Sequence, residues 1–177
     1  KVEQLLDAPI YLDYSASAMS ILTLRAAARR MATRLNAQGT PLALVIIDYL
    51  QLMAGSRRTP ESRQTEIAEI SRSLKAMARD LNIPIIALSQ LNRAPEEKGR
   101  EGRPQLSNLR ESGALEQDAD MVAFIYREGQ YKKDTGDDEN LKTKAKLIVA
   151  KQRNGPIGDV ELRFIGEYAK FGDAETE

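Results

Sequence analysis

The 177-residue chain, with 42% hydrophobic and 29% charged side chains, has the composition of one folded domain and excludes a disordered tail or a collagen-like repeat. Basic and acidic residues both number 26, so bulk charge draws the chain to neither nucleic acid nor membrane, and an anionic partner must meet a local patch. Cysteine and histidine are absent, which removes disulfides, thiol nucleophiles, Cys/His zinc sites and histidine triads; with no apolar run near a bilayer span and no signal-peptide layout in KVEQLLDAPI, the cytosol is the expected compartment.

Between Ser17 and Asn36 the residues Ile21, Leu24, Ala28, Met31 and Leu35 recur at helical spacing, which predicts an amphipathic helix. After NAQGTP, the continuous apolar run from Leu42 to Asp48 reads as a central parallel strand buried on both faces. A second stripe at Ile67, Ile70, Leu74, Met77 and Leu81 predicts another helix, and NIPIIALSQ another buried strand. Strand, helix and strand in that order make a right-handed parallel crossover. The stretch LNRAPEEKGREGRPQLSNLRESG reads as a long loop ending in a short helix near Ala114 to Asp118. MVAFIYR and AKLIVAKQ follow as strands, DVELRFI alternates as an edge strand after the turn NGPIG, and the tail GDAETE is expected to fray.

Open parallel sheets bind ligands outside the carboxyl ends of their strands, and Asp48 ends the first of these runs. There it could act as a Walker B carboxylate, holding Mg²⁺ through water beside phosphates; an aspartate that only caps a turn is the alternative. Gln90, after the next strand, could sense a phosphate or orient water at the same rim. Arg57 and Arg58 in one loop, and Arg93, Lys98, Arg100, Arg103 and Arg110 in the next, could track a nucleic-acid backbone, or be solvated charge among Glu96, Glu97 and Glu101. Lys151 and Arg153 flank Gln152, so extended geometry sends both side chains to one face, as a two-pronged anion reader or a basic strand end. The two helical stripes are read as core faces, and Arg25, Arg29, Arg30 and Arg34 as a solvated face or a subunit contact. No G-x-x-x-x-G-K-[ST] is present and the first glycine is Gly39, so the phosphate-cradling loop is missing from this sequence.

Taken together, LVIIDYLQLM, EIAEISRSLKAMARDLNIPIIALSQLNR, LRESGALEQDADMVAFIYR and AKQRNGPIG closely resemble the RecA-like C-terminal domain of bacterial DnaB-type replicative helicases. The resemblance runs from the strand-like Ile10 to Leu12 through Phe171. It implies an α/β fold, a mostly parallel twisted sheet flanked by helices with an antiparallel edge hairpin at the C-terminal end. It also implies a ring-forming, ATP-driven motor, a hexamer in its parent protein, which encircles one DNA strand at the replication fork. Primase and a helicase loader are the partners that go with it, and no membrane.

Carried over, Asp48 would be the magnesium-linked Walker B aspartate and Gln90 the link between the γ-phosphate and the DNA loops. Arg110, Glu111 and Gly113 would lie on the loop that grips the DNA backbone. Lys151 and Arg153 would reach the γ-phosphate of ATP held by the neighbouring subunit. The N-terminal helicase domain, linker helix, Walker A loop and catalytic glutamate would all precede Lys1, so residues 1–177 are expected to be the C-terminal part of the motor and inactive alone. A RecA-type recombinase and a non-catalytic ring-interaction module are the competing readings; KQRNGPIG favours the helicase branch over the recombinase.

Overall fold

A computed structural model describes residues 8–13, 19–55, 62–91, 102–127, 129 and 143–174, excepting the side chains of 110–112. Helix α1 (Ile21–Ala37) starts at Ser20, whose hydroxyl accepts the Thr23 N–H at 3.1 Å, and Gly39 supplies the positive φ of 72° just beyond its end. Strand β1 (Val45–Ile47) leads into a 3₁₀ turn, Leu50–Leu52. Helix α2 (Arg63–Leu81) is capped by Ser62, which accepts the Thr65 N–H at 3.2 Å, and it stops at Asn82 in the left-handed conformation, φ 52°. Strand β2 (Ile85–Ala87) pairs parallel to β1, Val45 opposite Ile85 and Ile47 opposite Ala87, completing the expected crossover.

The second half begins with a 3₁₀ segment, Leu106–Ser112, that runs into α3 (Gly113–Asp118). Strands β3 (Met121–Tyr126), β4 (Lys144–Gln152), β5 (Gly158–Ile165) and β6 (Lys170–Asp173) then form an antiparallel sheet in that order.

Two apolar clusters hold these elements. The helical stripes Ile21, Ala28, Ile70, Leu74 and Met77 meet Leu50 and Met53 from the turn after β1, with Leu24, Ile47, Leu81, Ile85 and Leu115 closing the edges. A second cluster joins Leu109 to Phe124, Tyr126 and Ile148 of the antiparallel sheet.

The α/β class holds, with three adjustments. Among the described residues the antiparallel portion is a separate four-stranded sheet and not an edge hairpin on a mostly parallel one, because β4 to β5 and β5 to β6 are joined by short turns, which oblige neighbouring strands to run in opposite directions. In consequence β5 is interior, paired on both sides, and Gly172 and Asp173 of the expected frayed tail belong to β6. The β1–β2 pair is buried on one face only: Ile46 is 61% and Ile86 47% exposed, since no described element covers that side. Ile10 to Leu12 are exposed and irregular instead of strand-like. Arg25 and Arg29 are engaged with Asp80 of α2, at 3.3 and 2.8 Å, tying the two helices together.

Candidate functional site

Asp48 is the first residue beyond β1 and stands exposed at its carboxyl end. The pairing of the two strands continues past their formal ends: Leu88 N–H donates to Ile47 O and Leu50 N–H to Leu88 O, both at 2.9 Å. Asp48 and Gln90 are thereby carried out on the same rim, where ligands meet parallel sheets. Burial of Leu50 and Met53 turns the intervening Gln51 toward the second strand. Its amide donates to Ser89 Oγ at 3.1 Å and to Gln90 O at 3.0 Å, and its Oε1 accepts the Gln90 N–H at 3.2 Å.

The turn that carries Gln51 is anchored from α2. Arg63 donates to Gln51 O at 2.9 Å and to Met53 O at 3.2 Å, and it also pairs with Glu66. Glu66, nearly buried, accepts the Gly55 N–H at 2.7 Å. That backbone donor, with the Arg63 guanidinium, holds the Glu66 carboxyl below its ordinary range despite the opposing effect of desolvation. Gln51, Arg63 and Glu66 were not singled out by sequence reasoning. One signal was available, since Arg63 precedes Ile67, and Glu66 precedes Ile70, by one helical turn, placing two charges on an apolar stripe.

Lys151 and Arg153 do converge. Lys151 Nζ donates to the carbonyls of Glu116 and, at 3.2 Å, Gln117; Arg153 Nη2 donates to Gln117 O at 2.6 Å and its Nη1 lies 3.4 Å from Asp120 Oδ1. Both cations thus sit at the negative, carboxyl end of α3, the favourable position for positive charge. Asp120 also pairs with Lys75, whose hydrogen bond, aided by the charges of Lys75, Arg153 and Arg79, lowers the Asp120 pKa.

Arg110, Glu111 and Gly113 share one continuous backbone path at the junction of the 3₁₀ segment and α3, although the Arg110 and Glu111 side chains lie outside the described residues. Gly113 has an ordinary helical φ of −51°, and a Cβ there would meet nothing within 4 Å. The fold therefore makes no demand for glycine at 113. In the basic loop set, the Arg103 guanidinium makes a bidentate pair with Asp159 of β5, at 2.8 and 2.6 Å. Arg57, Arg58, Arg93, Lys98 and Arg100 lie outside the described residues.

Among the described residues no three acidic, cysteine or histidine side chains gather to cage a metal, and no helix is long and apolar enough to cross a membrane. One exposed carboxylate at a strand end does fit Mg²⁺, which keeps much of its water and takes one or two carboxylates together with phosphate oxygens.

Comparison with known proteins agrees with this geometry. A family model described as the DnaB-like helicase C terminal domain matches residues 1–173. The chain is 50% identical over 169 residues to the replicative DNA helicase DnaB of Geobacillus stearothermophilus, covering 96% of this chain and 35% of that protein. It is 47% identical to the replicative DNA helicase DnaC of Bacillus subtilis, covering 94% of this chain and 34% of that protein. The chain therefore spans about a third of these curated relatives. Among solved structures, one described as an ATPase domain superposes with a TM-score of 0.83 at 39% identity, over 98% of this chain and 58% of that one. A DnaB-like replicative helicase described with its primase interactions superposes with a TM-score of 0.84 at 38% identity, over 98% of this chain and 40% of that one. With a RecA-like α/β fold shared over nearly its full length, the chain belongs to the DnaB-like helicase C-terminal domain family.

Proposed function

We propose that this chain is the C-terminal part of the motor of a replicative DNA helicase, coupling ATP hydrolysis to movement along single-stranded DNA and to duplex unwinding at the replication fork. The observation that carries the reading is the shared rim at the carboxyl ends of two parallel strands, where Asp48 follows β1 and Gln90, its main chain held by Gln51, follows β2. Asp48 would hold Mg²⁺, which when bound would supply charge neutralisation for the phosphates. Gln90 turns its amide to the γ-phosphate or the attacking water.

Lys151 and Arg153 serve the ATP of the adjoining subunit in a ring, taken to be a hexamer. On engagement they exchange the carbonyls at the end of α3 for phosphate oxygens, which make stronger, charge-assisted bonds. Arg110, Glu111 and Gly113 form the DNA grip, where a main-chain N–H approaches a phosphate without side-chain hindrance. The exposed Ile46 and Ile86 face is where further elements of the motor domain cover the parallel strands, because parallel sheets are buried on both faces. The setting is the bacterial cytoplasm at the nucleoid, with primase and a loader as further partners.

The test uses the full-length protein on a forked duplex. Asp48→Asn and Arg153→Ala each abolish unwinding and DNA-stimulated ATP hydrolysis. Mixing the two inactive variants restores part of the hydrolysis, since some interfaces then combine an intact Asp48 with an intact Arg153. Wild-type hydrolysis by Arg153→Ala, or no recovery in the mixture, refutes the assignment in trans.

A further inference from the structure

We infer that Gln51 is a positioning residue: its side-chain amide clamps the main chain of Gln90 and thereby sets where the Gln90 amide stands relative to Asp48. This deepens, and rests on, the reading of Gln90 as the phosphate-facing group.

Two features separate the clamp from incidental contact. First, the amide addresses residue 90 with both of its ends, donating to its carbonyl at 3.0 Å and accepting from its N–H at 3.2 Å, while also donating to Ser89 Oγ at 3.1 Å. That pair of hydrogen bonds to one residue's backbone reproduces a rung of a β-ladder beyond the end of β2, where main-chain pairing alone has stopped. Second, the base of the clamp cannot drift. Leu50 on one side is 1% exposed and Met53 beyond is 6% exposed, the Gln51 carbonyl is held by Arg63, and Glu66 secures the turn at Gly55. The core thus fixes Gln51, Gln51 fixes the backbone of Gln90, and Asp48 lies three residues before the clamp, between β1 and the turn. Reacting groups misplaced by even an ångström lose rate steeply, so such a clamp acts on turnover and not on nucleotide affinity.

The experiment measures kcat and KM for ATP in the full-length protein with saturating single-stranded DNA, for Gln51→Leu, Gln90→Ala and the double variant. Gln51→Leu lowers kcat at least about tenfold, while KM stays within about twofold of wild type. The double variant is no slower than Gln90→Ala alone, because a positioning residue has nothing left to position. Multiplying losses in the double variant, or a raised KM at unchanged kcat, overturn the proposal in favour of a general structural role. If Gln51→Leu fails to assemble, Gln51→Glu takes its place. It keeps the shape and the acceptor for the Gln90 N–H but sets an oxygen against the Gln90 carbonyl, and the same kcat loss is expected, wild-type kcat being the overturning result. A crippled Gln90→Ala beside a fully active Gln51→Leu sinks this inference alone, whereas a fully active Gln90→Ala sinks the reading of Gln90 on which it rests.

Discussion

Replacing Glu66 by alanine tests how the rim is held. The substitution strips the Gly55 N–H of its 2.7 Å acceptor and leaves Arg63 without its counter-charge. A hydrogen bond to a charged group contributes about 1.5–3 kcal/mol. The Arg63 pair adds less, because its guanidinium side chain is 39% exposed while Glu66 is 10% exposed. Placement of Glu66 in the first turn of α2 contributes about 0.3–1 kcal/mol through the helix dipole. The expected loss is about 3 kcal/mol, which for a chain of this size lowers Tm by about 6–12 °C.

Hydrogen exchange supplies the local readout, since the Gly55 amide should lose its protection in the variant while amides in the middle of α2 keep theirs. Glu66→Gln, which keeps an acceptor and loses the charge, should fall about halfway between. The pH dependence has a definite sign. The Glu66 pKa in the folded chain lies below its ordinary 4.5, chiefly through the Gly55 N–H, so its stabilisation is complete above that value and disappears as pH falls through the native pKa. The stability gap between wild type and Glu66→Gln should close correspondingly below pH 4.5. A Tm change under about 2 °C for Glu66→Ala, or an unaltered Gly55 amide, would show that the turn is held by its apolar anchors alone.

Gly55→Ala places a Cβ 2.9 Å from Glu66 Cγ and 3.3 Å from Glu69 Oε2, so a loss of about 1–3 kcal/mol is expected in urea unfolding, and a smaller loss in a Glu66→Ala background. Ile70→Ala empties a site that is 0% exposed between the two helices and should cost about 2–5 kcal/mol by the same assay. Residues 1–177 alone should show no ATP hydrolysis, and should bind single-stranded DNA weakly with affinity that falls steeply as salt rises; tight binding at physiological salt would contradict a grip shared among subunits.

Much of the architecture was legible because period and punctuation agree. Ser20 and Ser62 stand before the two apolar stripes, Asn82 ends the second, and the runs around Ile46 and Ile86 are apolar and β-branched, so both helices and the parallel crossover could be read directly. The extent of the antiparallel sheet was not, because the pairing of Phe164 with Phe171 across the turn at Gly166–Tyr168 depends on a short 3₁₀ segment that no alternation marks. Lys151 and Arg153 were placed on one face by their spacing, yet their resting partners, carbonyls at the end of α3, belong to a segment more than thirty residues earlier in the chain. Arg103 shows the same gap: a loop arginine read as a candidate DNA contact is held by Asp159 on a strand far along the chain.

The sequence by itself determined which residue types could act, with no histidine or cysteine, a carboxylate and an amide at two strand ends, and two cations spaced to share a face. It also determined the elements that carry them, because hydrophobic period and capping are local properties of the chain. Only the tertiary structure decided how the rim is assembled, with Gln51 bound to Gln90 and Glu66 turned inward to Gly55. Hydrogen bonds between residues distant in sequence are satisfied only once packing against a common core brings donor and acceptor within about 3 Å, and no periodicity encodes that meeting.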